Sequence, residues 1–313
     1  MTGSILAALT FIGCSGEDGE RGPEGPAGAS VTGQTGPKGD PGNPGEDKPN
    51  VDFYFQDGFK GYTGTQDASI DNYTPNGNLN SNLLNLYFSV NNNPDLVQYA
   101  HTVIRFEGIS EEISNILVEE NENCTDSFHL NQAILYIYIS QYNSDALPLY
   151  FNLGFYNEDD PIFDEASANW DAANDTDGWD GKGGDSDNWA FGEGELDDYS
   201  IQYIAGSGTS SSDPGWFPIP LPRSIVQSWI CNPDSNTGMR IRMTGDNALN
   251  GAILDIYASE NPIEDLRPLL VIETEKIEVG TTTKGYEGTK TQDWDNMSYE
   301  EKMAPLHRFQ ALQ

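Results

Sequence analysis

Glycine recurs at every third position in two runs near the start of the chain. The first is Gly16, Gly19, Gly22, Gly25 and Gly28; after one slip of register come Gly33, Gly36, Gly39, Gly42 and Gly45. Proline fills several positions between, at Pro23, Pro26, Pro37, Pro41 and Pro44. Three polyproline-II chains can wind round one axis only when every third residue lacks a side chain, because that residue faces the crowded axis. A flexible Gly-rich linker has no reason to hold a three-residue phase through five triplets, twice. The expectation is a triple-helical segment, and with it a homotrimer.

This collagen-like segment, residues 15–48, is short and interrupted. Ala29-Ser30-Val31-Thr32 places four residues where two belong, so the rod should bend or loosen there. At roughly 3 Å per residue the segment is a rod of ~90–100 Å. Lys38-Gly39-Asp40 puts opposite charges where staggered chains bring them together, although such exposed pairs are individually weak. Ten triplets are marginal, so trimer formation is expected to lean on the domain that follows or on lateral packing.

Ahead of the repeat, residues 1–14 carry an apolar run from Ser4 to Gly13 that is too short to span a bilayer. A short apolar run before a small residue reads as a secretory h-region. Phe11-Ile12-Gly13-Cys14 resembles the lipobox of bacterial lipoproteins, which implies cleavage before Cys14 and a lipid anchor on it. Ser15-Gly16-Glu17-Asp18 resembles the acidic leader that directs some lipoproteins to the outer cell surface. Met1-Thr2-Gly3 supplies no basic n-region, which leaves an internal start or an ordinary apolar N-terminus as the alternatives.

The chain has 313 residues, with 50 acids against 15 Lys plus Arg, a formal net charge of −35. Such a surface repels nucleic acid and anionic lipid, which excludes both as partners. Aromatic residues at 11%, with abundant Ile, Leu and Val, argue for a packed core despite the charge. Besides Cys14 there are only Cys124 and Cys231, which an exported protein can pair as a disulfide or keep as two buried thiols.

After a polar hinge, short apolar or alternating runs recur between turn clusters: Leu83 to Val90, Thr102 to Phe106, Ala133 to Ser140, Leu149 to Tyr156, Met239 to Met243, Ala252 to Tyr257 and Leu269 to Glu273. Ala133 to Ile139 is apolar or aromatic on both faces, as a strand between two layers should be. These runs predict an all-β domain over residues 50–275, an antiparallel β-sandwich of jelly-roll type. One helix is expected at Ser224 to Ile230, capped by Ser224. In residues 276–313 a polar linker leads to a short amphipathic helix opening with a capping box at Ser298 and Glu301. Its apolar residues Met303, Leu306, Phe309 and Leu312 suit docking on a neighbouring copy or on the domain itself, with Pro305 limiting its regularity.

Several pieces, in order, resemble the DNRLRE or disaggregatase-related domain. Gly61-Tyr62-Thr63-Gly64-Thr65-Gln66-Asp67-Ala68-Ser69-Ile70 is similar to its opening strand, Ile104-Arg105-Phe106 and Ala133 to Tyr138 to two further strands. Asn169-Trp170 with Trp179 to Asp187 resembles its Trp- and Gly-rich loop, and Gln227-Ser228-Trp229 its helix. Asn236-Thr237-Gly238-Met239, Ser259-Glu260 and Arg267-Pro268-Leu269 resemble its closing motifs. The resemblance implies a β-sandwich attached to a secreted bacterial or archaeal protein, in some members a carbohydrate-binding module for acidic polysaccharides, with Trp170 structural.

Glu158 to Asp198 holds 15 acids and a single base, Lys182. Within it Asp175, Asp177, Asp180, Asp185 and Asp187 offer hard oxygen ligands at short spacing around glycines, the requirement of a Ca²⁺ loop, although Trp179 stands where an EF-hand would place a third ligand. Solvated acidic turns are the alternative. Trp179 and Trp189, set among glycines and aspartates, are expected to be exposed and to stack on polysaccharide. A polyanion would need a bridging Ca²⁺ or a local basic patch. Catalysis has no support in the sequence: His101, His129 and His307 lie far apart, and no HExxH, GxSxG, P-loop or CxxC motif occurs. The sequence therefore points to a surface-exposed or extracellular structural and adhesive protein without enzymatic activity, with polysaccharide capture by the head as the alternative.

Overall fold

The computed structural model describes residues 50–77, 79, 81–89, 97–144, 149–192, 200–203, 214–245, 252–277 and 294–313. All lie in one compact unit, Asp47–Gln313. The leader with Cys14 and the whole Gly-X-Y segment, Gly16 to Gly45, fall outside the described residues.

The unit is an all-β domain with few helices. Its strands are β1 (Asn50–Phe55), β2 (Thr65–Asp71), β3 (Leu83–Ser89), β4 (Gln98–Phe106), β5 (Phe128–Ser144), β6 (Leu149–Phe155), β7 (Phe191–Gly192), β8 (Ser200–Tyr203), β9 (Gly215–Pro220), β10 (Met239–Gly245), β11 (Ala252–Tyr257) and β12 (Leu269–Lys276). The helices are α1 (Ile109–Leu117), α2 (Cys124–Ser127), α3 (Arg223–Cys231) and α4 (Tyr299–Gln310). The sheet runs β1-β12-β5-β11-β3-β4-β10-β6-β7, with β2 on β4, β8 on β6 and β9 on β5. The described pairings are antiparallel.

Two strands make the sheet curl. Along one flank, β5 pairs first with β12, from Phe128 to Tyr136, and then with β11, from Ile139 to Ser144. Its other flank takes β9 from Ile134 to Ile139. β4 repeats the arrangement, with β3 and β10 successively on one flank and β2 on the other. Changing partner part-way along a strand sends its neighbours in diverging directions, and the sheet curls over its main core.

Period-two alternation then assigns each strand two jobs. Ala133, Leu135, Ile137 and Ile139 of β5 enter the main core with Phe53 and Phe55 of β1, Leu270 and Ile272 of β12, Phe151, Leu153 and Phe155 of β6, and Met239, Ile241 and Met243 of β10. The intervening Ile134 and Tyr136, with Leu269 and Val271, face a second apolar layer made by Trp294 and by Met303, Leu306 and Phe309 of α4. The C-terminal helix therefore docks on its own domain. It opens with the expected Ser298/Glu301 capping box and runs through Pro305. Phe309 packs on Tyr54 at 5.2 Å and Phe59 at 4.7 Å between ring centres, the Tyr136 hydroxyl donates to the Lys302 carbonyl at 2.7 Å, and Arg308 pairs with Asp52 of β1 and Glu273 of β12.

Sequence and structure differ in three places. α3 matches the expected helix, but its N-cap is Pro222 and no side chain caps it, so Ser224 lies inside the first turn. β9 carries Pro218 and Pro220, which demote a strand when read from sequence; they are tolerated because β9 pairs, among the described residues, with β5 on one side only. α1 closes one end of the core through Ile109, Ile113 and Leu117, spaced four apart on one face. It is joined to α3 by the Ser110 hydroxyl, which donates to the Ile230 carbonyl at 2.6 Å. Cys124 of α2 and Cys231 of α3 form a disulfide with Cα atoms 5.6 Å apart across 107 residues of sequence. In the chain-entropy account a closure of that length stabilises by roughly 4–5 kcal/mol.

Truncation of Phe309 should expose the outer layer while leaving the main core intact. Phe309→Ala is expected to lower unfolding free energy by about 3–5 kcal/mol. Urea denaturation checks this: a loss under about 1 kcal/mol would mean that α4 contributes little to the fold.

Candidate functional site

On the strands β2, β4, β6 and β10 the outward face is covered by residues 157–190, the acidic segment. Ala68 and Ile70 of β2 and Val103 of β4 form a small outer core with Tyr156, Phe163, Ala168, Ala173 and Trp179, against which Trp170 and Trp189 pack. The anchor of this layer is the Gly183 carbonyl. It accepts from His101 Nδ1 at 2.8 Å and from Arg240 Nη1 at 2.9 Å, both buried and both projecting from the outer face of the sheet. The next carbonyl, Gly184, accepts from the Tyr156 hydroxyl at 2.7 Å.

The glycine pair is required here. Both residues have φ +74°, and a Cβ on Gly183 would lie 2.6 Å from the Trp170 ring, one on Gly184 2.9 Å from Ile70 Cδ1. Left-handed backbone combined with contact of that kind admits no other residue without displacing the segment.

The aromatic residues are arranged around Tyr156. Its ring stacks with Trp179, centres 5.5 Å apart at 16°, and with Trp189, 4.9 Å apart at 27°. Trp179 is 7% exposed and donates from Nε1 to the Asn169 carbonyl at 2.9 Å. Trp189 is half-buried over Gly154 of β6, where a Cβ would meet its ring at 2.6 Å, and the Arg240 guanidinium lies 4.8 Å from its ring centre. The expectation that Trp179 presents an exposed sugar-stacking face is therefore corrected: its glycines and aspartates turn outward while the indole turns onto the sheet. Trp189 keeps only part of its surface open. Trp170 packs against His101, 5.0 Å between ring centres.

The five aspartates expected to hold Ca²⁺ are all exposed. Asp175 and Asp177 sit on a tight turn organised by Asn174, whose Oδ1 accepts from the amides of Thr176 and Asp177 at 2.8 Å. Asp180 accepts the Asp187 amide at 3.2 Å, and Asp185 pairs with Arg240 at 3.2 Å. No three of them bring carboxylate oxygens within 4.8 Å of one another. Among the described residues the carboxylates that do converge are Asp67, Glu165 and Glu260, which sequence reading missed because they lie roughly a hundred residues apart and carry no local spacing signal.

A cavity of about 240 Å³ opens where the acidic segment meets α3. Asn157, Glu158, Ser228, Asn232 and Ser235 line it with polar groups, and Trp229 and Tyr156 lie at its floor, almost wholly buried. Its polar wall is preorganised: Asn232 Nδ2 donates to Glu158 Oε2 at 3.4 Å, Ser235 Oγ donates to the Asn232 carbonyl at 2.8 Å, and the Ser228 and Ser235 hydroxyls lie 2.9 Å apart.

Neither a protein-family model nor a curated protein matches this chain. No helix among the described residues is long and apolar enough to cross a membrane.

His101 makes the outer layer sensitive to acid. Burial, and then the charge of Arg240, lower its pKa to about 3, against about 6.5 in an unfolded chain. As pH falls from 6.5 toward 3 the unfolded state takes up a proton that the folded state refuses, so stability falls by up to about 1.4 kcal/mol per pH unit. In His101→Gln the amide can still donate to the Gly183 carbonyl, but nothing titrates. Relative to that variant, the wild type should lose stability progressively below pH 6.5, measured by urea unfolding at each pH. Parallel curves for the two proteins would show that His101 protonates as readily folded as unfolded.

Proposed function

We propose that this chain is a surface-exposed or extracellular structural and adhesive protein, in which a collagen-like trimeric stalk displays a β-sandwich head of jelly-roll type, either singly or as a filament subunit. The observation that carries the reading is the strict Gly-X-Y phase from Gly16 to Gly28 and from Gly33 to Gly45, placed directly ahead of an independent compact unit. A triple helix has no function in one chain, so that phase is a requirement for self-association. Support for export comes from the Cys124–Cys231 disulfide, a bond that persists in oxidising compartments, and from the lipobox-like approach to Cys14. The resemblance to DNRLRE domains agrees with an appended extracellular head.

Electron microscopy and mass photometry of the exported protein test this reading. The expected particle has three times the chain mass, appearing as three-headed stalks or as fibres built from them, and Gly22→Ala with Gly39→Ala should return it to single-chain mass. A variant mass equal to that of the wild type would remove the rod as the assembler.

A second reading, carbohydrate binding by the head, is favoured by the cavity beside α3. Carboxylate, amide and hydroxyl groups gathered in one cavity are what sugar hydroxyls are recognised by, and at about 240 Å³, below the usual range of ligand pockets, it has room only for a small ligand. Three weak heads on one stalk would gain avidity for a repeating polymer. On a glycan array the trimer should bind neutral glycans, and Glu158→Ala with Asn232→Ala should weaken that binding by about tenfold or more, the loss of one or two charge-assisted hydrogen bonds. Unchanged binding in the variant would place any sugar site elsewhere.

A further inference from the structure

Asp67, Glu165 and Glu260 come from β2, from the acidic segment and from the connection between β11 and β12. Each offers a carboxylate oxygen within 4.8 Å of those offered by the other two. Asp67 is fully buried. Its Oδ2 accepts the Ser259 amide at 2.8 Å, but its Oδ1, also buried, has no hydrogen-bond partner. Glu260 is exposed and accepts the Ser259 hydroxyl at 3.1 Å, while Glu165 is half-buried. The nearby Arg267 spends its donors elsewhere, on the Asn261 carbonyl at 2.8 Å and the Asp57 carbonyl at 3.0 Å, and its ion pair is with Glu264. A buried acceptor left without a donor, in a group of three acids, is strongly unfavourable unless something positive completes it.

We propose that Asp67, Glu165 and Glu260 bind one divalent cation of the size of Ca²⁺, which fastens β2, the acidic segment and the β11–β12 connection to one another. Ca²⁺ holds oxygens at 2.3–2.6 Å, so ligands on opposite sides of it stand up to about 5 Å apart, and the three-carboxylate spacing fits that range. Mg²⁺, which demands a tight octahedron, fits less well. Backbone oxygens and water complete the coordination, and exposed Glu260 leaves a path of entry. The site is separate from Asp175, Asp177, Asp180, Asp185 and Asp187, the positions that loop spacing alone would favour.

The test uses the full chain, stripped with a chelator and titrated with CaCl₂ by calorimetry and thermal unfolding at pH 7. The expected result is one site that raises Tm by about 5–10 °C at a hundredfold excess over Kd. Glu165→Gln with Glu260→Gln, both away from the core, should weaken that site by about tenfold or more, and Asp175→Asn with Asp177→Asn and Asp180→Asn should leave it unchanged. The proposal is overturned if Ca²⁺ leaves the wild-type Tm unaltered. It is equally overturned if the double variant binds like the wild type, or if the triple variant is the one that loses the site.

Discussion

Everything in the domain depends on burial of both faces of one strand. β5 runs for 17 residues. Its odd-numbered residues from Ala133 to Ile139 enter the main core, while Ile134 and Tyr136 on the other face require a second cover. A sheet with only its inner face filled would leave that second stripe in water, at roughly 1.5–3 kcal/mol for each large apolar side chain. α4 meets that requirement on the face around β5, β12 and β1, and residues 157–190 do the same for the separate outer face of β2, β4 and β10. The structure is thus a curled sheet with an inner core and two outer ones.

The second cover accounts for a chain so acidic that still folds. Fifteen acids between Glu158 and Asp198 repel one another, yet residues 157–190 are held by a few buried donors rather than by matching surface charge. His101 and Arg240 reach the same carbonyl, and Tyr156 reaches the next. Side-chain oxygens of Asn157, Asp164, Asn169 and Asn174 each accept from amides two or three residues on, so local turns satisfy the backbone while carboxylates point to solvent. Repulsion spreads the charge outward; the aromatic layer keeps the segment in place.

Legibility of this arrangement in the sequence varied with the range of the interaction. β11 coincides with the expected run, and β10 and β12 begin where the apolar runs begin, because alternation over six to eight residues is a local property. The capping box of α4 was readable for the same reason. α1 carried a readable signal in Ile109, Ile113 and Leu117, but the glutamates around them and the entry through Gly108 obscured it. β9 was hidden by its prolines, whose acceptance depends on its pairing with β5 on one side only. The site was less legible than the fold. Nothing local tells that Trp179 turns inward, since its burial is created by Tyr156 and by the outer face of β2 and β4. Asp67, Glu165 and Glu260 meet only because the sheet curls.

Arg308 gives the last helix a mechanical meaning. β1 pairs, among the described residues, with β12 alone, beginning at Asn50 opposite Glu275. Any tension carried along the preceding chain enters at that residue, where a strand so paired can peel away one rung at a time. Arg308 grips Asp52 of β1 and Glu273 of β12 together, and Phe309 lies on Tyr54 two residues further along. α4 is thus a latch across β1 and β12, and peeling β1 from the sheet means breaking that latch before the ladder can open.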